Sequence, residues 1–443
     1  MSFFPHDRLT HTKLDMTRWA LVAIVSLVST ATFAQGAPGE ASRDWMVAFQ
    51  ENLQQGVLKF WVEHAIDDQH GGVIGRLDRE GKPIPPGDKS LVIISRTMWS
   101  FAEAYRRYPE PAYREIATAC LRFLRDKMWD KQKGGYYFMV SREGNVLDST
   151  KLVNPMCYTM EGLAEYSLAF SDAEARKEAM DLFLVIDRYA HDDKYGGYKV
   201  AFSSDWTWLK DYEPGPNGAG MFGRKSYDWH LGLLEAIATL YDVTHDAHVR
   251  ARLEELVGLF VDKIVDVQQG YGRYYFTDDW KPADHEGDSM QCEYGLDMEA
   301  SWLMTEAAAL IGRGQDANVR RASLALVDHT LRDGFDKENG GVYRTGPAAG
   351  PADNKDMEWW QQAEGLVALL NAYQMTGKSK YWEAFQLQAR FVMDHFVDHQ
   401  HGEWYTAVSH EGRVDSEKAG PWKAPYHVTR ACLEIIARLG RTL

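Results

Sequence analysis

Apolar residues recur along this chain at spacings of three and four. In 228–241 (DWHLGLLEAIATLY) they fall at Leu231, Leu234, Ala238 and Tyr241, the one-sided stripe of an α-helix. Residues 298–311 (MEASWLMTEAAALI) are apolar on nearly every side, which predicts a helix packed on two faces, whereas 382–396 is one-sided and suits an outer helix. Between such stretches the pattern changes. Six times, about every 60 to 75 residues, a Gly-rich turn leads into a short aromatic or β-branched run. The six are 68–82, 130–145, 192–206, 269–280, 336–347 and 398–413. Tyr195-Gly196-Gly197 and Asn339-Gly340-Gly341 supply positive φ at little steric cost, and the Tyr, Val and Phe that follow prefer extended backbone. Each unit therefore reads as a helix pair plus a small hairpin. One pair cannot bury its apolar face alone. Six predict an all-α fold, an (α/α)6 barrel spanning 41–443 as one domain, with short β-hairpins in the connecting loops. The site should lie in the funnel where those loops and the inner-helix ends meet.

Composition narrows the partners. The chain is 45% hydrophobic and 26% charged with a net charge of −15, and its Lys and Arg are scattered. A basic stripe for nucleic acid is absent, and an acidic chain is repelled by anionic membranes. Aromatics make up 12%, including 15 Trp and 22 Tyr. They serve either as barrel core or as flat surfaces for sugar rings. At the N-terminus, Met16-Thr17-Arg18 precedes an apolar run of about ten residues and a small-residue site ending at Ala34, the layout of a signal peptide. Residues 1–34 are thus expected to be removed, with Met16 an alternative start and a weak membrane anchor the other reading. The mature chain would be exported, to the periplasm in a Gram-negative source, with no membrane contact after cleavage. Cys120, Cys157, Cys292 and Cys432 form no CxxC pair and have no metal-ligand spacing. Walker A and GxGxxG motifs are absent, and the His395/His399 pair lacks the Glu of a zinc protease. No metal or other cofactor is expected. Residues 87–89 and 215–220 read as flexible loops, and His285 as a loop histidine. Oligomeric state is left open.

Four motifs resemble the N-acylglucosamine 2-epimerase family, and its cellobiose 2-epimerase branch in particular. They are 419–434 (AGPWKAPYHVTRACLE), 359–373 (WWQQAEGLVALLNAY), 294–302 (YGLDMEASW) and 95–99 (SRTMW). The resemblance spans nearly all of 45–443 and implies the same barrel fold, with a mono- or oligosaccharide as substrate. The family's reaction opens the sugar ring, removes the proton at C2 and returns one from the other face or at the other carbon. So weak a carbon acid needs a base with a pKa near working pH, a second group to deliver the proton, and donors to hold the enediolate. By resemblance, His427 is one catalytic histidine and Glu299 the carboxylate that orients the other, with Asp297 beside it. Arg96 matches the arginine that binds sugar oxygens. Trp360 and Glu364 match a Trp-Trp-x-x-x-Glu set, and Trp422 the tryptophan that packs on a sugar ring. Trp359 and Trp360 follow one another on a helix, so only Trp360 is expected in the pocket.

Two of the family's pocket histidines are replaced. Leu296 stands where the Tyr-Gly-His-Asp pattern has His. Gly232 stands where Asn-x-His-x-His has its second His, and Asp228 replaces the Asn. His230 is no substitute, being about 200° away on the helix. A two-histidine relay therefore cannot run here. Three readings remain: an epimerase or isomerase using one histidine with a carboxylate or tyrosine; glycoside hydrolysis or elimination by carboxylates such as Asp228, Asp297, Glu299 and Glu364; or a non-catalytic carbohydrate-binding protein.

Overall fold

A computed structural model describes residues 39–210, 225–283 and 291–440. The expected signal peptide, the loop at 215–220 and His285 lie outside the described residues. Among those described, twelve helices alternate between an outer and an inner ring. Helix α1 (Gly39–Glu51) is outer and is prolonged through Asn52–Leu58 and Lys59–His64. Its inner partner is α2 (Leu91–Arg107). The pairs then run α3 (Pro111–Phe123) with α4 (Val153–Phe170), α5 (Ala173–Ala190) with α6 (Tyr227–Thr244), and α7 (Ala247–Leu259) with α8 (Tyr294–Leu310). They end with α9 (Ala317–Asp333) and α10 (Trp359–Thr376), then α11 (Ser379–His395) and α12 (Tyr426–Gly440). Each even-numbered helix packs on the next, and α12 returns to α2, closing a ring of six. Burial follows the sequence pattern. Inner α4 buries every residue from Val153 to Ser167, while outer α5 buries only the stripe Ala175, Ala179, Leu182, Phe183, Ile186 and Ala190. Each large apolar side chain so buried contributes about 1.5–3 kcal/mol.

The two ends of the barrel differ. At one end, three inner helices stop in left-handed residues (Ser171, φ 55°; His245, φ 51°; Gly377, φ 68°) and outer helices start at once. Asp172 and Asp246 cap those starts by accepting two backbone N–H groups each. At the other end lie the six Gly turns. Asp67, Asp130, Asp192, Asp266, Asp336 and Asp398 each accept two N–H groups of their own turn. Four of these carboxylates also pair with a buried lysine just ahead of an inner helix: Lys89–Asp67 at 2.9 Å, Lys151–Asp130 at 2.9 Å, Lys225–Asp192 at 2.8 Å and Lys418–Asp398 at 3.1 Å. The segment 87–89 is thus no loose loop at its end: Lys89 is fully buried, held by a partner too distant in sequence for a local pattern to reveal.

Short strands link neighbouring repeats around this rim. Lys89–Ser90 pairs with Met139–Val140, Lys151–Leu152 with Ala201–Phe202, and Lys225–Ser226 with Tyr275–Phe276. Gln291–Glu293 pairs with Thr345–Pro347, and Met357–Glu358 with Ala407–Val408. A bridge between Leu77 and Ala419 closes the circle. The inner-helix starts are therefore fixed relative to one another, which is what a multi-helix site requires. The four cysteines are free and buried, and no helix among the described residues is long and apolar enough to cross a membrane.

Candidate active site

Pro425, with its fixed φ, precedes the start of α12 at Tyr426. Spacings of three and four then put Tyr426, His427 and Arg430 toward the barrel axis. Four other inner helices each send one glutamate to meet them: Glu161 from α4, Glu235 from α6, Glu299 from α8 and Glu364 from α10. All four are buried. Arg430 is the hub. Its Nη2 donates to Glu299 Oε1 at 2.5 Å and to Glu364 Oε1 at 2.7 Å. Its Nη1 donates to the Tyr426 hydroxyl at 2.8 Å and pairs with Glu235. That hydroxyl lies 2.5 Å from Glu235 Oε1 and 3.0 Å from Glu161 Oε2.

His427 sits one turn nearer the rim. Its Nδ1 is 2.7 Å from Glu364 Oε1, while Glu364 Oε2 accepts from Trp302 Nε1 at 3.0 Å. The imidazole ring lies 5.9 Å from Trp360 and 6.5 Å from Trp359. Of the two, Trp359 is buried with the barrel core, whereas Trp360 is half-buried. Nε2 has no hydrogen-bond partner among the described residues. Arg96 lays its guanidinium over Tyr158 at 3.8 Å and Tyr426 at 4.9 Å, and its buried Nε has no hydrogen-bond partner among the described residues.

Burial sets the charge state. Desolvation lifts Glu161 to about 7 and Glu299 to about 8. Glu364 is held well above the ordinary carboxylate range by burial and by the neighbouring Glu299. Burial, then Arg96, pushes His427 well below the usual histidine value, so its imidazole is neutral. Glu299, Glu364 and His427 bring ligand atoms within 4.8 Å of one another, as a metal site would. Here Arg430 already occupies the cationic position between the two carboxylates.

The structure therefore unites His427, Glu299, Glu364, Arg96 and Trp360. Trp360 is half-buried, and its Nε1 donates to Glu358 at 2.8 Å. Trp422 stands half-buried on the loop into α12, 6.0 Å from Phe138. Asp228 opens α6, half-buried, and accepts from Ser226 Oγ at 2.6 Å. Burial raises it to about 6 against hydrogen bonds from Ser226, Trp229 N–H and Tyr274. Asp297 is not brought to the cluster. It accepts from Gly272 N–H at 2.9 Å and the Tyr227 hydroxyl at 3.2 Å, tying a rim strand to α8. It lies two positions from Glu299, on the opposite side of the helix.

The replaced positions are equally definite. Leu296 is 5% exposed, one turn before Glu299 on the same face. Gly232 packs so closely on α4 that a Cβ there would lie 1.9 Å from Asn154 Oδ1. His230 is structural: its Nδ1 meets Ser226 O at 2.7 Å and its Nε2 accepts from Tyr198 N–H at 3.0 Å, while burial lowers it to about 4. Sequence reasoning missed Arg430, Tyr426, Glu161 and Glu235. The available signal was Glu followed by Gly or Ala in four consecutive inner helices (Glu161-Gly162, Glu235-Ala236, Glu299-Ala300, Glu364-Gly365), together with the three-residue step from His427 to Arg430.

The family model for N-acylglucosamine 2-epimerase matches residues 72–431. The cellobiose 2-epimerase of Bacteroides fragilis is 31% identical over 390 residues, covering 87% of this chain and 97% of that protein. The D-mannose isomerase of Marinomonas mediterranea is 23% identical over 405 residues, covering 88% and 97%. Among solved structures, the cellobiose 2-epimerase of Spirochaeta thermophila superposes with a TM-score of 0.82 at 32% identity, covering 91% of this chain and 98% of that one. With the barrel, the Arg430-centred carboxylates and His427 in place, this chain belongs to the N-acylglucosamine 2-epimerase family.

Proposed function

We propose that this protein is a cofactor-independent sugar 2-epimerase or aldose–ketose isomerase, acting on an open-chain free sugar or the reducing end of an oligosaccharide. The observation that carries this reading is the neutral His427, its Nδ1 tied to Glu364 and its Nε2 without a partner among the described residues. A neutral imidazole with one nitrogen anchored exchanges a single proton at the other, which is what abstraction at C2 demands. Arg96, stacked between two tyrosines with a donor to spare, supplies cationic stabilisation for the enediolate oxygens. Trp360 and Trp422 offer apolar faces to the sugar ring.

The test is a proton NMR screen in D₂O with glucose, mannose, N-acetylglucosamine and cellobiose. The C2–H signal should vanish as deuterium enters, and His427→Asn should abolish exchange in the epimer whose C2–H faces that imidazole. Ligand-induced shifts without turnover would favour the binding-protein reading instead. Hydrolysis has one observation in its favour: Asp228, raised to about 6, faces Glu293, raised to about 8, so one carboxyl is ionised and one protonated near neutrality. New reducing ends in the same spectra would establish it. Export rests on residues 16–34; the full chain expressed in a Gram-negative host should yield a periplasmic protein beginning at Gln35, and retention in the cytoplasm would refute it.

A further inference from the structure

With Leu296 unable to carry a proton, the proposed C2 chemistry lacks a group for the second sugar face, and the ring geometry supplies one. In the order α2, α4, α6, α8, α10, α12, helices α6 and α12 stand three places apart and so face each other across the axis. They touch there directly, through the pairing of Glu235 with Arg430 and Tyr426. Asp228 lies seven residues before Glu235, two turns up the same face of α6. His427 lies three residues before Arg430 on the same face of α12. At about 1.5 Å per residue, Asp228 is roughly 10 Å and His427 roughly 4.5 Å nearer the rim than that contact. Asp228 therefore overhangs the space in front of His427 from the opposite wall.

The neighbouring residues agree with this placement. Trp229, His230 and Leu231 are buried, whereas Asp228 is half-buried, leaving it the accessible side chain of its turn. Electrostatically it faces Tyr158 of α4, Tyr274 just before the rim strand Tyr275–Phe276 and Glu293 at the start of α8. Tyr158 in turn carries Arg96. The carboxylate thus borders the space that Arg96 and His427 also border.

We infer that Asp228 is the second acid–base residue of this site, working on the sugar face opposite His427. The inference rests on the epimerase reading. In one direction, the Asp228 carboxylate takes the C2 proton, and the C–H electron pair moves into the C1 carbonyl to give an enediolate held by Arg96. His427 Nε2–H then returns a proton to C2 from the other face, while Nδ1 takes the proton of the neutral Glu364 carboxyl. The site ends with Asp228 protonated and Glu364 ionised, and solvent exchange resets it. The reverse direction starts from that second state. Asp228, raised to about 6 by burial, is ionised yet still basic at neutral pH, the condition a general base needs.

The experiment compares the full-length parent with Asp228→Asn, Asp228→Glu and His427→Asn in D₂O, using cellobiose and mannose. Asp228→Asn should lose inversion at C2 by about 100-fold or more, yet still wash deuterium into the one epimer whose C2–H faces His427. His427→Asn should exchange only the other epimer. Asp228→Glu, which keeps the carboxyl, should recover part of the rate, and this separates lost chemistry from misfolding. In the parent, kcat/KM should fall as pH drops through about 6; in Asp228→Asn that limb should be gone. Inversion by Asp228→Asn within threefold of the parent overturns the assignment while the epimerase reading stands. A parent that exchanges no C2 proton in either sugar overturns both.

Discussion

Replacing Gly232 with alanine should destabilise this protein, although the same change in an unobstructed helix interior stabilises by about 1 kcal/mol. The new methyl would lie 1.9 Å from Asn154 Oδ1 and 3.0 Å from its Cγ, so the carboxamide must retreat by about 1.5 Å to reach ordinary contact at 3.4 Å. It is not free to do so. Asn154 is 5% exposed and its amide donates to the Tyr158 hydroxyl. Losing that bond costs about 0.5–1.5 kcal/mol, and overpacking a tight interface about 1–3 kcal/mol more. Set against the propensity gain, the net loss should be about 1–3 kcal/mol. Denaturant unfolding of the parent, Gly232→Ala, Asn154→Ala and the double variant measures it. In the Asn154→Ala background the obstacle is gone, and Gly232→Ala should gain about 0.5–1 kcal/mol, a coupling that a double-mutant cycle isolates. A Gly232→Ala protein as stable as its parent would refute the reasoning. The result also bears on function: a histidine can return to position 232 only if Asn154 gives way, so adding histidines at 232 and 296 without a third change should not rebuild a two-histidine site.

The carboxyl ring makes stability depend on pH in an unusual direction. Glu161 is raised in the fold from 4.5 to about 7, so its contribution is complete below pH 4.5 and is lost as pH rises through 7; melting temperature should decline over that window, and Glu161→Gln should flatten the decline. An unchanged slope would show that Glu161 does not hold its proton. Arg96→Ala and Trp422→Ala should each weaken sugar binding by about 1–3 kcal/mol, measured by calorimetry on folded variants; parent-like affinity in both would place the sugar elsewhere. Arg430→Met removes the cation shared by Glu235, Glu299 and Glu364 and should cost about 3–5 kcal/mol at pH 7. The cost should grow at pH 9, where Glu299, raised to about 8, is ionised with Arg430 gone from beside it, and equal losses at pH 7 and pH 9 would mean the damage is steric.

The fold was legible because its signals are local and repeated. A left-handed glycine after an Asp-led turn and an apolar stripe of period 3.6 each report on a dozen residues, and the chain states them six times. The site was half legible. His427, Glu299, Glu364, Arg96 and Trp360 converge, but they were found through resemblance to a family, since no spacing rule places side chains from different helices on one axis. Arg430 escaped because its importance lies in partners 66, 131 and 195 positions away. Asp297 was misplaced in expectation because it neighbours Glu299 in sequence, whereas two steps along a helix reverse the direction of a side chain.

The two positions expected to carry histidine stand apart from the centre of this site. The hydrogen-bonded storey of Glu161, Glu235, Glu299, Glu364, Tyr426 and Arg430 is tied together through Arg430 and Tyr426 and reaches His427 and Trp302 through Glu364, so removing Arg430 would leave several buried carboxyls without their donor. The replaced positions lie at its edge, toward the rim. Leu296 contributes apolar surface, and Gly232 yields its space to Asn154. Neither residue belongs to the Arg430 network, and neither carries a transferable proton on its side chain. Asp228 sits at that same outer level, half-buried and free of any ion pair among the described residues. A carboxylate in that position gains little for folding, since burial alone lifts its pKa and no cation offsets the penalty. The acid–base role inferred for it gives that cost a chemical use.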